Sequence, residues 1–340
     1  LQIKQFHIFS RRQTMNTFPS RRHVITAMIG ALGVAPRVFA QTPVWPANTI
    51  RLVVPAPAGG GIDVAVRAIA EQLSVVLKQP VIVDNKAGAG GLIGTKAVSQ
   101  SPPDGYTIAY IHSGLVTVQA MNPKLDLLKE FRPVAKLSHS PFLAVVSADS
   151  KYKTLQDLIA AVQANPGKLT FGSGGPGSPA HLAVEYIEEK LGNFKALHVP
   201  FKGAAESANA IVGGQIDFQV GLLAANIGLV HGGRLRALAI TGRERVALLP
   251  NVPTMGEAGL PGFVFEPWGG LAVPAGTPDA VLARLQEVLP GVLASPAIRE
   301  LTAKQGSVVD YAPAVAFAAQ IAREIELDKV VVKRLGMVQQ

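Results

Sequence analysis

Cysteine is absent from all 340 residues, which removes disulfide frameworks, thiolate metal ligands and cysteine nucleophiles together. Charged residues are scarce at 16% against 48% hydrophobic ones, the reverse of a disordered chain, so a buried core is expected. Acidic residues are missing from the first forty positions, where Lys4, Arg11, Arg12, Arg21, Arg22 and Arg37 stand unopposed. Without them the formal charge of +9 falls to about +3. The body then has no basic stripe to follow a phosphate backbone, and no nucleic acid is expected as a partner. No G-x-x-x-x-G-K-[ST] loop is present, and Gly88–Gly94 (GAGGLIG) misplaces the third glycine of a dinucleotide fingerprint. His112, His139, His181, His198 and His231 stand too far apart for a zinc-protease spacing, and neither Ser173 nor Ser178 sits in a G-x-S-x-G elbow. No cofactor, no metal and no catalytic residue are therefore expected.

The N-terminus has the parts of a secretory signal. Arg21-Arg22 provide the basic region, Val24–Pro36 an apolar run of 13 residues, and Val38-Phe39-Ala40 a small-x-small cleavage site. A spanning helix needs about 20 apolar residues, so residues 1–40 read as a cleaved signal, with Met15 as an alternative start. Ser20-Arg21-Arg22 leaves the general secretory and twin-arginine routes both open.

After Gln41, short β-branched runs alternate with helical stretches. Residues 50–55, 81–84, 106–111, 143–147, 169–172, 196–201, 216–220 and 235–241 read as strands, and 64–78, 92–99, 155–165, 180–191, 204–212, 278–294 and 313–335 as helices. Such alternation predicts an α/β fold with largely parallel sheets, and the length predicts two domains.

Four strand-to-helix connections are built alike: residues 57–63 (PAGGGID), 87–91 (AGAGG), 172–178 (GSGGPGS) and 202–205 (KGAA). Glycine leaves backbone N–H groups bare, and the helix start behind each loop adds unpaired amides and partial positive charge, which suits a carboxylate. In open α/β sheets such loops lie at the carboxyl ends of strands, where ligands bind. The candidate ligand-binding residues are Ala58, Gly59, Gly60, Gly61 and Asp63; Gly88, Ala89, Gly90 and Gly91; Ser113; Ser173, Gly174, Ser178 and His181; Lys202, Gly203 and Ala204; and Asp217. Several carry an alternative structural role. Asp63 and Ser178 stand where helix caps stand, Ser113 and Asp217 where turns bind their own side chains, and His181 and Lys202 could be a packed imidazole and a solvated charge. Trp268 reads as a core residue rather than a cleft wall.

Taken in order, IRLVVPAPAGGGIDVAVR (50–67), VIVDNKAGAGGLIGTKAVSQSPPDGYT (81–107), GSGGPGSPAHLA (172–183), HVPFKGAAES (198–207), GGQIDF (213–218), GGRLRALAITGRER (232–245), LPNVPTMGEAGLPGF (249–263) and LAVPAGTP (271–278) resemble the receptors of tripartite tricarboxylate transporters, the Bug receptors. The resemblance spans nearly the whole chain after the signal. It implies a two-lobed, periplasmic-binding-protein-like α/β clamp with a mainly parallel sheet in each lobe and the ligand cleft between them. Lobe 1 would comprise residues 41–142 and 268–340, and lobe 2 residues 143–267. It implies a monomer that holds a small carboxylate through backbone amides and ordered water and delivers it to membrane permease subunits. The family's ligand loops fall here on Pro57 to Asp63, Ser173 to Ser178 and Lys202 to Ala204. Two positions depart from the family: Ala56, where an aromatic residue is common, and Gly221, near which a polar or acidic residue is common. An exported α/β hydrolase or lyase, and a sensor that reports ligand to a membrane kinase, stay open as alternatives. If the signal reading holds, protein recovered from the periplasm begins at Gln41 on N-terminal sequencing; cytoplasmic protein with residues 15–40 intact would refute it.

Overall fold

The computed structural model describes residues 45–338, and the expected signal segment lies outside them. The chain begins with β1 (Ile50–Val54), α1 (Gly61–Leu77), β2 (Val81–Asn85), a 3-10 turn (Ala89–Gly91), α2 (Leu92–Ser99), β3 (Thr107–His112), α3 (Ser113–Met121), α4 (Leu127–Glu130) and β4 (Phe131–His139). It crosses to β5 (Phe142–Ser147), α5 (Leu155–Ala164), β6 (Thr170–Ser173), α6 (Pro179–Leu191), β7 (Leu197–Pro200), α7 (Ala204–Val212), β8 (Phe218–Leu222), α8 (Leu223–His231) and β9 (Leu235–Ile240). It then returns through β10 (Trp268–Pro274), α9 (Asp279–Ala294), α10 (Pro296–Lys304), β11 (Val308–Pro313) and α11 (Ala314–Arg334).

Two sheets result, in the orders β11-β4-β10-β3-β1-β2 and β7-β6-β8-β5-β9, each the centre of an α/β lobe. Helices form where apolar residues recur at helical spacing. Val66, Ile69, Ala70, Leu73 and Leu77 bury one face of α1 against the first sheet, and each large side chain among them contributes about 1.5–3 kcal/mol. Lys78, in the left-handed region at φ 54°, ends that helix. The sheets are mixed, which corrects the expectation of mainly parallel ones. β1, β2 and β3 are mutually parallel, as are β6, β7 and β8, but β10 runs antiparallel to β3 and β4, β11 antiparallel to β4, and β5 antiparallel to β8 and β9. The cause is the crossing itself. β4 carries the chain out of the first sheet and β10 brings it back alongside, so the two must run in opposite senses.

This topology also aims the loops. β4 and β3 both oppose β10 and so point the same way; β4 ends at the crossing, and the carboxyl ends of β1, β2 and β3 therefore share its edge. In the second sheet β5 starts at the crossing and opposes β8, which places the carboxyl ends of β6, β7 and β8 at that sheet's crossing edge. The glycine-rich connections of both sheets accordingly face one cleft.

Thr241 ties the two crossing segments together. Its hydroxyl accepts from the Phe142 N–H (2.8 Å) and donates to the Phe265 carbonyl (2.6 Å). Its own N–H donates to the Phe142 carbonyl (2.9 Å) and its carbonyl accepts from the Phe265 N–H (3.0 Å). The residue has no solvent exposure. Thr241→Val keeps the shape but strands a buried donor and a buried acceptor, so a loss of about 2–4 kcal/mol is expected in chemical denaturation, while Thr241→Ser stays within about 1 kcal/mol of wild type. Equal stability of the valine variant would show that the clasp carries no weight.

Candidate functional site

The connection after β1 is held from beneath. Asp63 is buried, and its carboxylate accepts from the Gly59 N–H (2.8 Å), Arg67 Nε (2.9 Å) and Asn85 Nδ2 (2.8 Å). The Arg67 bond, then the Gly59 amide, hold its carboxyl at about 2, below the ordinary 3.8. Asp63 thus braces the loop, and its oxygens are occupied. Asn85 Nδ2 also reaches the Ala56 carbonyl (3.1 Å), which fixes the start of the same loop. Ala58, Gly59, Gly60 and Gly61 remain exposed. Gly60 precedes α1 without any side-chain cap, so the first amides of a 17-residue helix face the cleft edge uncapped.

The connection after β2 packs against α3. Gly90 and Gly91 have φ of 65° and 100°, and a Cβ on either would strike Val118 or Leu115 at 2.8 or 3.0 Å. Both glycines are required by conformation and by close approach. Gly88, Ala89 and Gly90 are exposed, while Gly91 is buried beside His112. His112 is a site neighbour that sequence reasoning passed over. It ends β3 directly before Ser113, the half-buried first residue of α3, and burial pushes its imidazole down to about 4.

In the second lobe, Ser173 ends β6 with no solvent exposure. Its hydroxyl lies 2.7 Å from His198 Nε2 and receives the Gly175 N–H (3.1 Å) and the Ser178 hydroxyl (3.2 Å). Ser178 also caps α6 by accepting from the His181 N–H (3.4 Å), and His181 Nδ1 accepts from the Gly177 N–H (3.1 Å). Ser173 and His181 therefore lie under the loop, whereas Gly174 is exposed at its tip. After β7, the Lys202 N–H donates to Glu206 (2.9 Å) and the exposed Lys202 side chain makes no ion pair among the described residues. Gly203 and Ala204 are half-buried, and Gly203 precedes α7 with no side-chain cap.

Asp217 is not brought to this edge. It precedes β8 rather than ending a strand, and its carboxylate takes the Thr170 N–H (2.7 Å) and hydroxyl (2.9 Å) at the start of β6. That is the far end of the sheet. Gly221 lies over a buried polar chain from Ser207 to Gln219 (2.6 Å) to Asn226 (2.5 Å), and a Cβ there would meet Gln219 at 3.0 Å. Trp268 is a core residue, edge-on to Phe317 at 4.8 Å.

A cavity of about 1130 Å³ lies beside the crossing strands, and of the candidate residues only Ser113 lines it. Its buried carboxylates are already partnered: Glu324 by Trp268 Nε1 (2.6 Å) and Gln320 (2.8 Å), Asp328 by Thr117 (2.7 Å) and Tyr186. Burial raises both above the ordinary carboxylate range. Basic side chains, Lys136, Lys190, Arg243, Arg245 and Arg323 among them, line the same space.

The sequence from residue 65 to 337 matches the model of the tripartite tricarboxylate transporter family receptor, TctC. The chain belongs to that family. The protein BugT of Bordetella pertussis is 35% identical over 317 residues, covering 92% of this chain and 96% of BugT. Among solved structures, a TctC solute binding protein from Polaromonas superposes with a TM-score of 0.76 at 33% identity, covering 85% of this chain and 99% of the other. MatC from Rhodopseudomonas palustris, solved with bound malate, gives 0.70 at 31% identity, covering 85% and 100%. Another R. palustris protein, solved with adipate, gives 0.73 at 28%, covering 86% and 98%. The solute-binding receptor fold of the TctC family, two α/β lobes, is thus this chain's fold.

Asp63 supplies a pH test of the first loop. Its folded pKa lies below the ordinary value, so its contribution to stability is complete above about pH 4 and fades as pH falls toward 2. In acid titration followed by circular dichroism, Asp63→Asn is expected to be less stable than wild type at pH 6 and to lose part of the difference by pH 2–3. A constant difference across that range would show that the charge does not brace the loop.

Proposed function

We propose that this chain is an exported periplasmic receptor that captures a small carboxylate between its lobes, catalyses no reaction, and hands the ligand to the permease of a tripartite tricarboxylate-type transporter. One observation carries the reading: the cleft loops already hold carboxylates from within the chain. The Gly59 N–H binds Asp63 and the Lys202 N–H binds Glu206, one in each sheet's connections, beside helix starts with no side-chain cap. Backbone that accommodates an internal carboxylate on each side has the chemistry to take another from solution.

Residues 41–142 with 268–340 form lobe 1 in this reading and residues 143–267 lobe 2, a division supported by the membership of the two sheets. The donors nearest the ligand are Ala58, Gly60 and Gly61 on one side, and Gly174, Gly203 and Ala204 on the other. Gly88, Ala89, Gly90 and Ser113 wall the cleft, and Asp63, Gly91, Ser173, Ser178 and His181 set the geometry. Lys202, exposed and without an ion pair among the described residues, attracts the anion. Malate and adipate in two solved relatives support a dicarboxylate of four to six carbons. A ligand contacting both sets of loops binds the closed form better and so shifts the lobes toward closure.

Calorimetric competition between malate or adipate and the corresponding dimethyl ester tests the reading. The diacid is expected to bind at least a hundredfold tighter, because each ester loses charge-assisted hydrogen bonds worth about 1.5–3 kcal/mol. Equal binding of acid and ester would show that the loops are structural turns.

A further inference from the structure

Residues 181 and 198, far apart in sequence, meet under the second lobe's loop. The His181 and His198 rings stack with centroids 4.0 Å apart and 14° between their planes, and Phe171 lies beside them, 4.9 Å from His198. Each ring nitrogen facing the loop has a defined duty. The Gly177 amide can only donate, so His181 Nδ1 must accept, which places the ring proton on Nε2, 3.5 Å from Glu185. Ser173 has one proton and two lone pairs. The Gly175 N–H and the Ser178 hydroxyl fill the lone pairs, and of the two acceptors its proton can reach, the Gly175 carbonyl at 3.1 Å and His198 Nε2 at 2.7 Å, the nearer one is the imidazole. A proton on His198 Nε2 would bring a third donor to an oxygen that can accept two. A proton on His181 Nδ1 would set two donors against each other across 3.1 Å.

We propose that His181 and His198 are positioning residues of the cleft loop Ser173 to Ser178, holding its inward hydrogen bonds only while both rings are neutral. The pair rests on the carboxylate reading for its role in binding, but its geometry stands independently. With the Gly175 and Gly177 amides turned to Ser173 and His181, the exposed tip at Gly174 is fixed relative to the start of α6. Burial and the neighbouring His181 push His198 down to about 4, so its ring is neutral across the pH range of a working cell. The charged groups around the pair are Glu185 on α6 and, behind it, Arg334 at the end of α11, which binds the Glu185 carboxylate (3.0 Å) and carbonyl (3.1 Å) and Glu189 (2.5 Å). Burial disfavours the Glu185 charge, yet His181 and Arg334 keep its carboxyl below the ordinary range. The path of polar contacts therefore runs from the loop of one lobe to a helix of the other.

Four variants separate positioning from simple packing. His181→Asn and His198→Gln put an accepting oxygen where the ring nitrogen stood and cannot be protonated, while His181→Leu and His198→Leu remove the acceptor. For malate, the leucine variants are expected to bind roughly tenfold more weakly at pH 7.5, the worth of one hydrogen bond, and the amide variants within about threefold of wild type. Between pH 7 and 4 the wild type should weaken relative to His198→Gln, the ligand's own titration cancelling in the ratio. Leucine variants that bind like wild type, or a wild type and a His198→Gln variant with the same pH profile, would overturn the proposal.

Imidazole nitrogen spectra and amide exchange of the ligand-free protein decide it without any ligand. His181 is expected to be protonated at Nε2 and His198 at Nδ1, and His181→Leu should speed exchange at Gly177. The opposite tautomers, or unchanged exchange, would refute the positioning role. Failure of the wild type to bind malate would count against the carboxylate reading and leave these spectra to judge the histidines.

Discussion

Everything at the cleft depends on one constraint: the chain must cross between two sheets and come back. The outgoing segment from β4 to β5 and the return from β9 to β10 are joined at Thr241, whose four backbone and side-chain hydrogen-bonding groups all engage Phe142 or Phe265. Ser140 adds a bond from its N–H to the Pro267 carbonyl (2.8 Å). Because β4 runs with β3 and β5 runs against β8, the parallel strands of both sheets deliver their carboxyl ends to the same gap. Six connections thereby converge without any one of them needing to reach. The sense of the strands, rather than loop length, builds the site.

That convergence creates an electrostatic problem, since several helix starts aim partial positive charge at one space. The chain answers it in two ways. Under the first loop Asp63 neutralises part of the charge and is in turn held by Arg67 and Asn85. Under the third loop there is no carboxylate in direct contact: Ser173, Ser178 and the His181 ring take the inward donors. Hydroxyl and imidazole acceptors order the backbone of the third loop without adding a charge there, while at the neighbouring loop Glu206 takes the Lys202 N–H.

The sequence made part of this legible and hid the rest for identifiable reasons. Runs such as Ile50–Val54, short, rich in β-branched residues and closed by Pro55, became strands. β10 was hidden because Gly269, Gly270 and Pro274 are poor strand formers. In the fold the two glycines make room for Tyr110 and Phe317, whose rings occupy the places where their Cβ atoms would stand. Pro133 disguised β4, but it sits where the pairing with β10 shifts register, a position that tolerates a missing donor. The loops were visible as glycine clusters, and the Asp63–Arg67 pair follows from its i,i+4 spacing. The pairing of His181 with His198 was not visible, because it depends on the parallel register that sets His198 opposite Phe171. Asp217 failed for the same kind of reason: whether it begins or ends β8 decides which end of the sheet it occupies.

The Ser173–His198 contact also bears on the enzyme alternative. A hydroxyl 2.7 Å from an imidazole has the spacing of an activated nucleophile. Activation further requires that the serine reach a substrate and that a third group stabilise the imidazolium as it forms. Ser173 has no solvent exposure, and its oxygen is already surrounded by the Gly175 amide and the Ser178 hydroxyl. His198 lies against a second histidine at 4.0 Å, which disfavours a positive charge on it, and burial works in the same direction. Glu185, the nearby carboxylate, is turned to His181 and Arg334 rather than to His198. A general base must gain a proton during the reaction, and this imidazole sits where gaining one is resisted. The same arrangement that unsuits the pair for proton transfer suits it for holding a loop still.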